Sequence, residues 1–459
     1  MKKLLTFFSI VILFSLYAFV ANFIEDKPVY IPPSKQRTGD AKKGYTYLVE
    51  GDYVKSGLPY NAFIFGIGTS DKNYLQREGI NKNISHEFTA IKASNGELLV
   101  APNCLQCHAQ TFEDKLIIGL GNSFVDFTKG PRFNTENIVL LEQLLKKNVP
   151  KQYEAAATFI TVSKSITGSL YSETRGVNIA DRLAALLAAH RDPITFKWID
   201  EPQLGIPTQV IPTDTPPWWL LKKKNAMFYS GFGRGDFGRF LMASNLLTVS
   251  DTSESRSVDD HMPDVLSYIY SLEPPKYPKP INTTLAEQGR ILFEDHCSSC
   301  HGSYGKNQTY PNLLIPESII RTDSLLFKTN YSNPQFLSWF NKSWFTTGDH
   351  PARLEPFNGY IAPPLDGVWI TAPYLHNGSV PTIEAVLNSR IRPAYWSRDF
   401  DKPEYDYENL GWRFTSATKP GGNTIYNTTS PGYGNYGHDF GDVLSDAERK
   451  AVIEYLKTL

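Results

Sequence analysis

The chain has 459 residues, enough for two or three domains with full cores, and its 46 Lys and Arg against 47 Asp and Glu leave a net charge of −1. That balance excludes the basic footprint expected of a nucleic-acid binder and gives no polybasic patch for a membrane surface. Aromatic residues reach 13%, which suits aromatic-walled pockets and, equally, a dense loop-rich core.

In chain order, Lys2 and Lys3 precede an uncharged, almost wholly apolar stretch over residues 4–24. This is the pattern of a secretory n-region and h-region, and it is also long enough to span a bilayer. Export is predicted, with residues 1–24 either a cleaved signal peptide or a retained anchor. Ala18 and Ala21 flank bulky Phe19 and Val20, so no clean small-x-small cleavage site stands out. The predicted location is periplasmic or otherwise extracytoplasmic, free or anchored to the cytoplasmic membrane.

The next landmark is Cys104-Leu105-Gln106-Cys107-His108, which recurs as Cys297-Ser298-Ser299-Cys300-His301; together the two runs use all four cysteines. Cys-x-x-Cys-His is the attachment signature of c-type haem. Each thiol forms a thioether to one haem vinyl group, and the adjacent histidine turns its imidazole onto the iron. A redox dithiol or half a zinc site explains neither the histidine after both pairs nor the absence of stray cysteines. Two covalent haems are therefore predicted.

Between the motifs, helical periodicity marks residues 137–147, 179–190 and 263–272, with Leu183, Leu186 and Leu187 on one face of the second. Segments 211–217 and 231–235 carry turn chemistry. Four prolines within residues 274–280 forbid a continuing helix and predict an extended linker. Beyond it, Thr284-Leu285-Ala286-Glu287 reads as a capping box opening a helix into the second motif, and Ser445-Asp446-Ala447-Glu448 as another opening the last helix. Such a helix pair is similar to the cytochrome c fold, and Gly289 would let the two cross closely. The predicted fold is mainly α with long irregular loops and two cytochrome c-like haem domains, the N-terminal one enlarged. Its divisions are residues 25–272, a Pro-rich linker over 273–282, and residues 283–459.

The sixth iron ligands decide the chemistry. Every methionine lies at or before Met262, so a second histidine is the simpler closure for the second haem. His350, His376 and His438 follow His301, and the glycine-rich run 432–438 makes His438 the favoured ligand. His376 is expected near a haem edge or propionate, and His350 in a surface turn. No histidine occurs between His108 and His190. His190, His261 and Met262 are more economically explained by packing or capping, which leaves the His108 iron with an open distal face.

The two haem motifs, the run Thr371-Ala372-Pro373-Tyr374-Leu375-His376-Asn377-Gly378-Ser379-Val380-Pro381 and the linker Pro274-Pro275-Lys276-Tyr277-Pro278 resemble the bacterial di-haem cytochrome c peroxidase superfamily. The resemblance is greatest to its rubber oxygenase branch. It rests on Trp218-Trp219-Leu220, residues 223–229, Gly233-Arg234-Gly235-Asp236-Phe237, Tyr310-Pro311-Asn312 and the ending around Gly437-His438 and 454–459, and it covers the chain from about residue 95 onward. It implies a reactive N-terminal haem on His108 with an apolar distal pocket and a C-terminal haem ligated by His301 and His438 that transfers electrons. A phenylalanine would crowd the reactive iron, with Phe228, Phe232 and Phe237 as candidates, and Trp218 or Trp219 would lie between the haems. A calcium ion between the domains is left open. The chain is shorter than rubber oxygenases, and it lacks the distal histidine and C-terminal methionine of typical peroxidases. The implied function is an oxidoreductase activating O2 or H2O2, with a small cytochrome or other periplasmic donor as partner, an unsaturated organic substrate within the oxygenase reading, and no nucleic acid. A di-haem electron carrier without catalysis is the alternative.

Overall fold

The computed structural model describes residues 27–128 and 134–459. The predicted export segment, residues 1–24, lies outside the described residues. Among these, no helix is long and apolar enough to cross a membrane.

Asp40 opens helix α1 (Ala41–Glu50) by accepting hydrogen bonds from the backbone amides of Lys42 and Lys43. A three-stranded antiparallel sheet follows, with β1 (Leu58–Pro59) and β2 (Phe88–Lys92) flanking β3 (Leu98–Pro102). β3 leads directly into the first Cys-x-x-Cys-His turn, a single helical turn Leu105–His108. The chain then reverses through the hairpin β4 (Ala109–Phe112) and β5 (Lys115–Ile118). Helices α2 (Thr135–Asn148), α3 (Pro150–Ile166), α4 (Ala180–Ala189) and α5 (Met262–Ser271) build the rest of this half. After extended chain come α6 (Thr283–His296), the second motif turn Ser298–His301, and finally α7 (Asp446–Leu456).

The described residues are 40% helical and 14% strand, so the mainly α expectation is corrected to a mixed fold. The missed strands differ in how visible they were. The β2–β3 hairpin turns at Asn95-Gly96, with Gly96 at φ +88°, a dipeptide that is itself a turn signal. The β4–β5 hairpin has a two-residue turn in which Glu113 and Asp114 both take left-handed φ, +45° and +59°, where Asn-Gly or Gly-Gly would be usual.

Helices α2, α4 and α5 lie where periodicity predicts them, and α1 and the long α3 were not foreseen. The start of α6 is also corrected. Asn282 rather than Thr284 is its cap, accepting from the amide of Leu285 at 3.1 Å, because a short amide side chain reaches the first-turn donors readily. At α7 the Ser445–Glu448 capping box is formed in both directions.

Two close helix crossings organise the molecule. A Cβ on Gly289 of α6 would sit 1.8 Å from the carbonyl oxygen of Ala451 on α7, and one on Gly44 of α1 would sit 2.0 Å from that of Asp264 on α5. Each half thus has an early and a late helix in backbone contact. Side-chain packing nevertheless crosses the linker. Trp339, Phe340, Trp344 and Phe345 join the core of the first half, and Phe112, Leu120, Trp219 and Leu220 join that of the second.

Because a methyl group at position 289 must push two helix backbones apart, Gly289→Ala is expected to destabilise the protein by about 2 kcal/mol or more. Denaturant unfolding of the variant would show this as a lower midpoint, and an unchanged midpoint would contradict the crossing.

Candidate functional site

At the first motif, Asn103 sets the turn: its Oδ1 accepts from the amide of Leu105 at 2.9 Å while its Nδ2 donates to His86 O and Thr89 Oγ1. Asn122 closes the other side, donating from its backbone to Cys107 O at 2.8 Å and from Nδ2 to Gln106 O at 2.9 Å. Cys104 and Cys107 are free thiols, and with His108 they line a cavity of about 550 Å³, within the range of cofactor and ligand pockets. The His108 ring stacks on Trp218 at 4.5 Å, and its Nδ1 is buried without a hydrogen-bond partner among the described residues. Burial pushes the imidazole pKa down to about 3, so the ring is neutral and keeps a lone pair for a metal. Two thiols and a neutral imidazole on the wall of one large cavity fit a covalently attached haem.

The three candidate phenylalanines separate. Phe228 and Phe232 both line the cavity, with ring centroids 5.1 Å apart, and Phe240 completes their cluster. Phe228 has φ +67° and is 36% exposed; a bulky residue in the left-handed region is the strain that collects at functional sites. Phe237 is corrected: it is 1% exposed in the core and is not part of the cavity wall. Spacing could not separate them because core or cavity placement leaves no trace in the residue type. Phe240 was missed for lack of any motif.

At the second motif, His301 Nδ1 lies 2.8 Å from Pro363 O, the donor role that leaves Nε2 for iron. The His438 ring centroid stands 6.1 Å from that of His301. Two imidazoles on opposite faces of one iron, each with a metal–nitrogen bond of about 2 Å and its centroid about 1 Å behind the nitrogen, would be about 6 Å apart. The pair therefore fits a bis-histidine haem. Burial holds His438 down to about 3, reinforced by the charges of His301 and Arg392, and it also lowers His301.

His438 is aimed by backbone. Gly437 and His438 both take left-handed φ, +73° and +48°, and the amide of His438 donates to Ile320 O at 2.9 Å. Asp323 Oδ2 accepts from the amides of Gly432 and Gly434, each at 3.0 Å. Asn377 Nδ2 donates to the carbonyls of the same two glycines, also at 3.0 Å, and Ser379 Oγ donates to Gly434 O. The run 371–381 thus grips the loop that carries His438. His376, expected at a haem edge or propionate, is buried against Tyr360: the rings stack at 4.1 Å and Nε2 lies 3.0 Å from the tyrosine hydroxyl.

The other histidines are occupied elsewhere. His190 has Nδ1 3.0 Å from Ile199 O and stacks on Trp198; His261 stacks on Tyr47; His350 is exposed. Neither His190 nor His261 lines the cavity, whereas Met227, Met242 and Met262 do.

A short bridge joins the two sites. Trp218, stacked on His108, is followed by Trp219, whose indole donates to Asp366 O at 2.8 Å. From Asp366 the chain runs back three residues to Pro363, the partner of His301. Lys223 pairs with the Asp366 carboxylate at 2.7 Å, and Tyr304 donates to His301 O. Two of the runs noted in the sequence lock together here: Asn312 Oδ1 accepts from the amide of Asn225 at 2.7 Å, and Asn312 Nδ2 donates to Lys223 O at 3.0 Å. Among the described residues no group of three or more His, Cys, Asp or Glu could hold a metal ion, so no such cluster supports a calcium site.

Comparison with known proteins fits this geometry. Residues 359–397 match a family model described as RoxA-like, cytochrome c-like; that stretch contains Pro363, Asp366, Asn377 and Ser379. An uncharacterized protein of Sinorhizobium fredii, y4iM, is 28% identical over 311 residues, which cover 58% of this chain and 68% of the relative. A second from the same organism, y4iJ, is 32% identical over 253 residues, 41% of each chain. The chain is similar at this coarse level to the di-haem, rubber oxygenase-like cytochromes, and the cytochrome c-like segment implies c-type haem.

Proposed function

We propose that the chain is an exported di-haem c-type cytochrome oxidoreductase in which the His108 site activates O2 or H2O2 and the His301/His438 site transfers electrons. The observation that carries this reading is the contrast between the sites: one Cys-x-x-Cys-His faces a second imidazole at 6.1 Å, and the other opens into a cavity of about 550 Å³. A haem at an open site supplies an iron that binds and reduces dioxygen or peroxide, and one closed by two histidines supplies single electrons at low potential. Residues 218–219 and 363–366 offer the electron route, through the ring stacked on His108 and the indole hydrogen bond to Asp366 O. Phe228, Phe232 and Phe240 contribute to the largely apolar wall of the cavity, which suits an unsaturated organic substrate. Within this reading, oxygen uptake with carbonyl products marks an oxygenase, and peroxide consumption coupled to oxidation of a small donor cytochrome marks a peroxidase.

The alternative is an electron carrier with both irons closed, for which Met227, Met242 and Met262 in the cavity wall are the available ligands. Electron paramagnetic resonance of the ferric protein separates the two. One high-spin or ligand-exchangeable haem beside one low-spin haem is expected, and two low-spin signals insensitive to added ligands would establish the carrier. His438→Ala is expected to convert the low-spin haem to high-spin while both haems stay attached; an unchanged spectrum would assign that ligand elsewhere.

Asp214 gives a pH signature. Its carboxyl lines the cavity, accepts from Tyr229 OH at 2.7 Å, and is pushed up to about 7 by burial, against the opposing pull of that hydrogen bond and of Arg398. Its unfolded value is near 4, so the fold favours the neutral acid, and its contribution to stability falls as pH rises from about 4 through 7. Above pH 7 the cavity gains a negative charge. Azide affinity at the open haem is expected to weaken across that transition, and Asp214→Asn to flatten the profile; an identical profile in the variant would remove Asp214 from the site.

A further inference from the structure

Three consecutive lysines leave the bridge segment in three directions. Lys222 turns outward to Leu272 O at 3.0 Å and to the Glu273 carboxylate. Lys223 turns toward the second site, bonding Asp366 Oδ1 at 2.7 Å and Gln308 Oε1 at 3.0 Å, with its ammonium over the Tyr304 ring. Lys224 turns into the cavity of the first site, and its ammonium makes no hydrogen bond or ion pair with any described residue.

The remaining charged groups of the cavity do not supply its partner. Arg182 spends its guanidinium on the carbonyls of Ser169 and Pro207. Asp214 is bonded to Tyr229. Asp181 lines the same cavity but forms no ion pair with Lys224, and burial pushes its carboxyl up to about 6. Lys224 lines the cavity while keeping part of its surface accessible, and desolvation lowers its pKa to about 8. A cation kept on a largely apolar wall is costly unless an anion meets it there. A neutral side chain of similar length would spare that cost if nothing charged entered.

We propose that Lys224 is the receptor for a carboxylate brought into the cavity by its occupant. The inference rests on the proposed function and extends it to a binding group. The same chemistry has two sources: a propionate of the haem attached at Cys104 and Cys107, or the carboxyl end of an unsaturated fatty acid lying against the apolar wall.

The test uses the full-length protein with both haems attached, comparing wild type with Lys224→Met, Lys224→Gln and Lys224→Arg. The readouts are the midpoint potential of each haem and optical titration with oleate and with methyl oleate. A cation beside a propionate favours the reduced, more negative haem. In that case Met and Gln shift the first midpoint to more negative values, leave the second unchanged, and Arg restores it. If a fatty acid is the partner, the midpoints hold, oleate binding weakens by roughly tenfold or more in Met and Gln, Arg restores it, and methyl oleate binds wild type and variants alike. Unchanged midpoints together with unchanged oleate binding in Gln, at full haem content, would overturn the proposal. Two low-spin haems in the wild type would instead overturn the proposed function, whatever the variants do.

Discussion

The hydrogen bond from the Trp219 indole to the carbonyl of Asp366 is the contact on which the two sites depend together. On one side, the adjacent Trp218 carries the ring against His108. On the other, only two residues, Pro364 and Leu365, separate Asp366 from Pro363, whose carbonyl orients His301. Few soft torsions intervene, so the two attachment histidines cannot shift far relative to each other without breaking that bond or the Lys223–Asp366 pair beside it. The indole is 1% exposed. A buried N–H left unpaired costs about 1–3 kcal/mol, which gives the bridge its stiffness.

The same constraint explains why packing disregards the proline-rich linker. A bridge that binds both sites requires residues 218–224 to lie between the halves, and side chains on each side then fill the space around it. Trp219 and Leu220 enter the second core, while Trp218 and Leu221 stay in the first. The segment 333–354 returns to wall the cavity with Phe336, Trp339, Phe340 and Phe345. The linker is extended, yet the molecule is knit across it, as the electron exchange in the proposed function would require.

How far the sequence could be read follows from where the information sits. The haem motifs and the Ser445 cap are local patterns, visible because spacing alone determines them, whereas the α6–α7 crossing at Gly289 was expected only from the likeness of that helix pair to the cytochrome c fold. The choice of His438 was legible through its glycine-rich loop and the missing methionines, and the 6.1 Å ring separation agrees with it. Phe228 and Phe232 were not separable from Phe237, because burial in the core rather than on the cavity wall decides between them and residue type gives no hint of it. The work of Asn377 was hidden as well: the backbone carbonyls it binds lie about 55 residues away, and no pattern encodes such a contact. The contact of His376 with Tyr360 was hidden for a similar reason, since Tyr360 carries no motif.

The cavity itself is the strongest argument that the first site is built for an occupant. A space of about 550 Å³ walled largely by apolar side chains is of the size that cofactors and small ligands fill. Packing alone would have closed such a space with larger side chains. The wall instead retains Ala180, Ala184 and Ala185 along α4, three flexible methionines, and a left-handed Phe228. Small and adaptable residues on one face with a strained aromatic on it make a surface shaped around something else. The thiols of Cys104 and Cys107 lie on the same wall, where under the proposed function they would give that occupant a covalent hold.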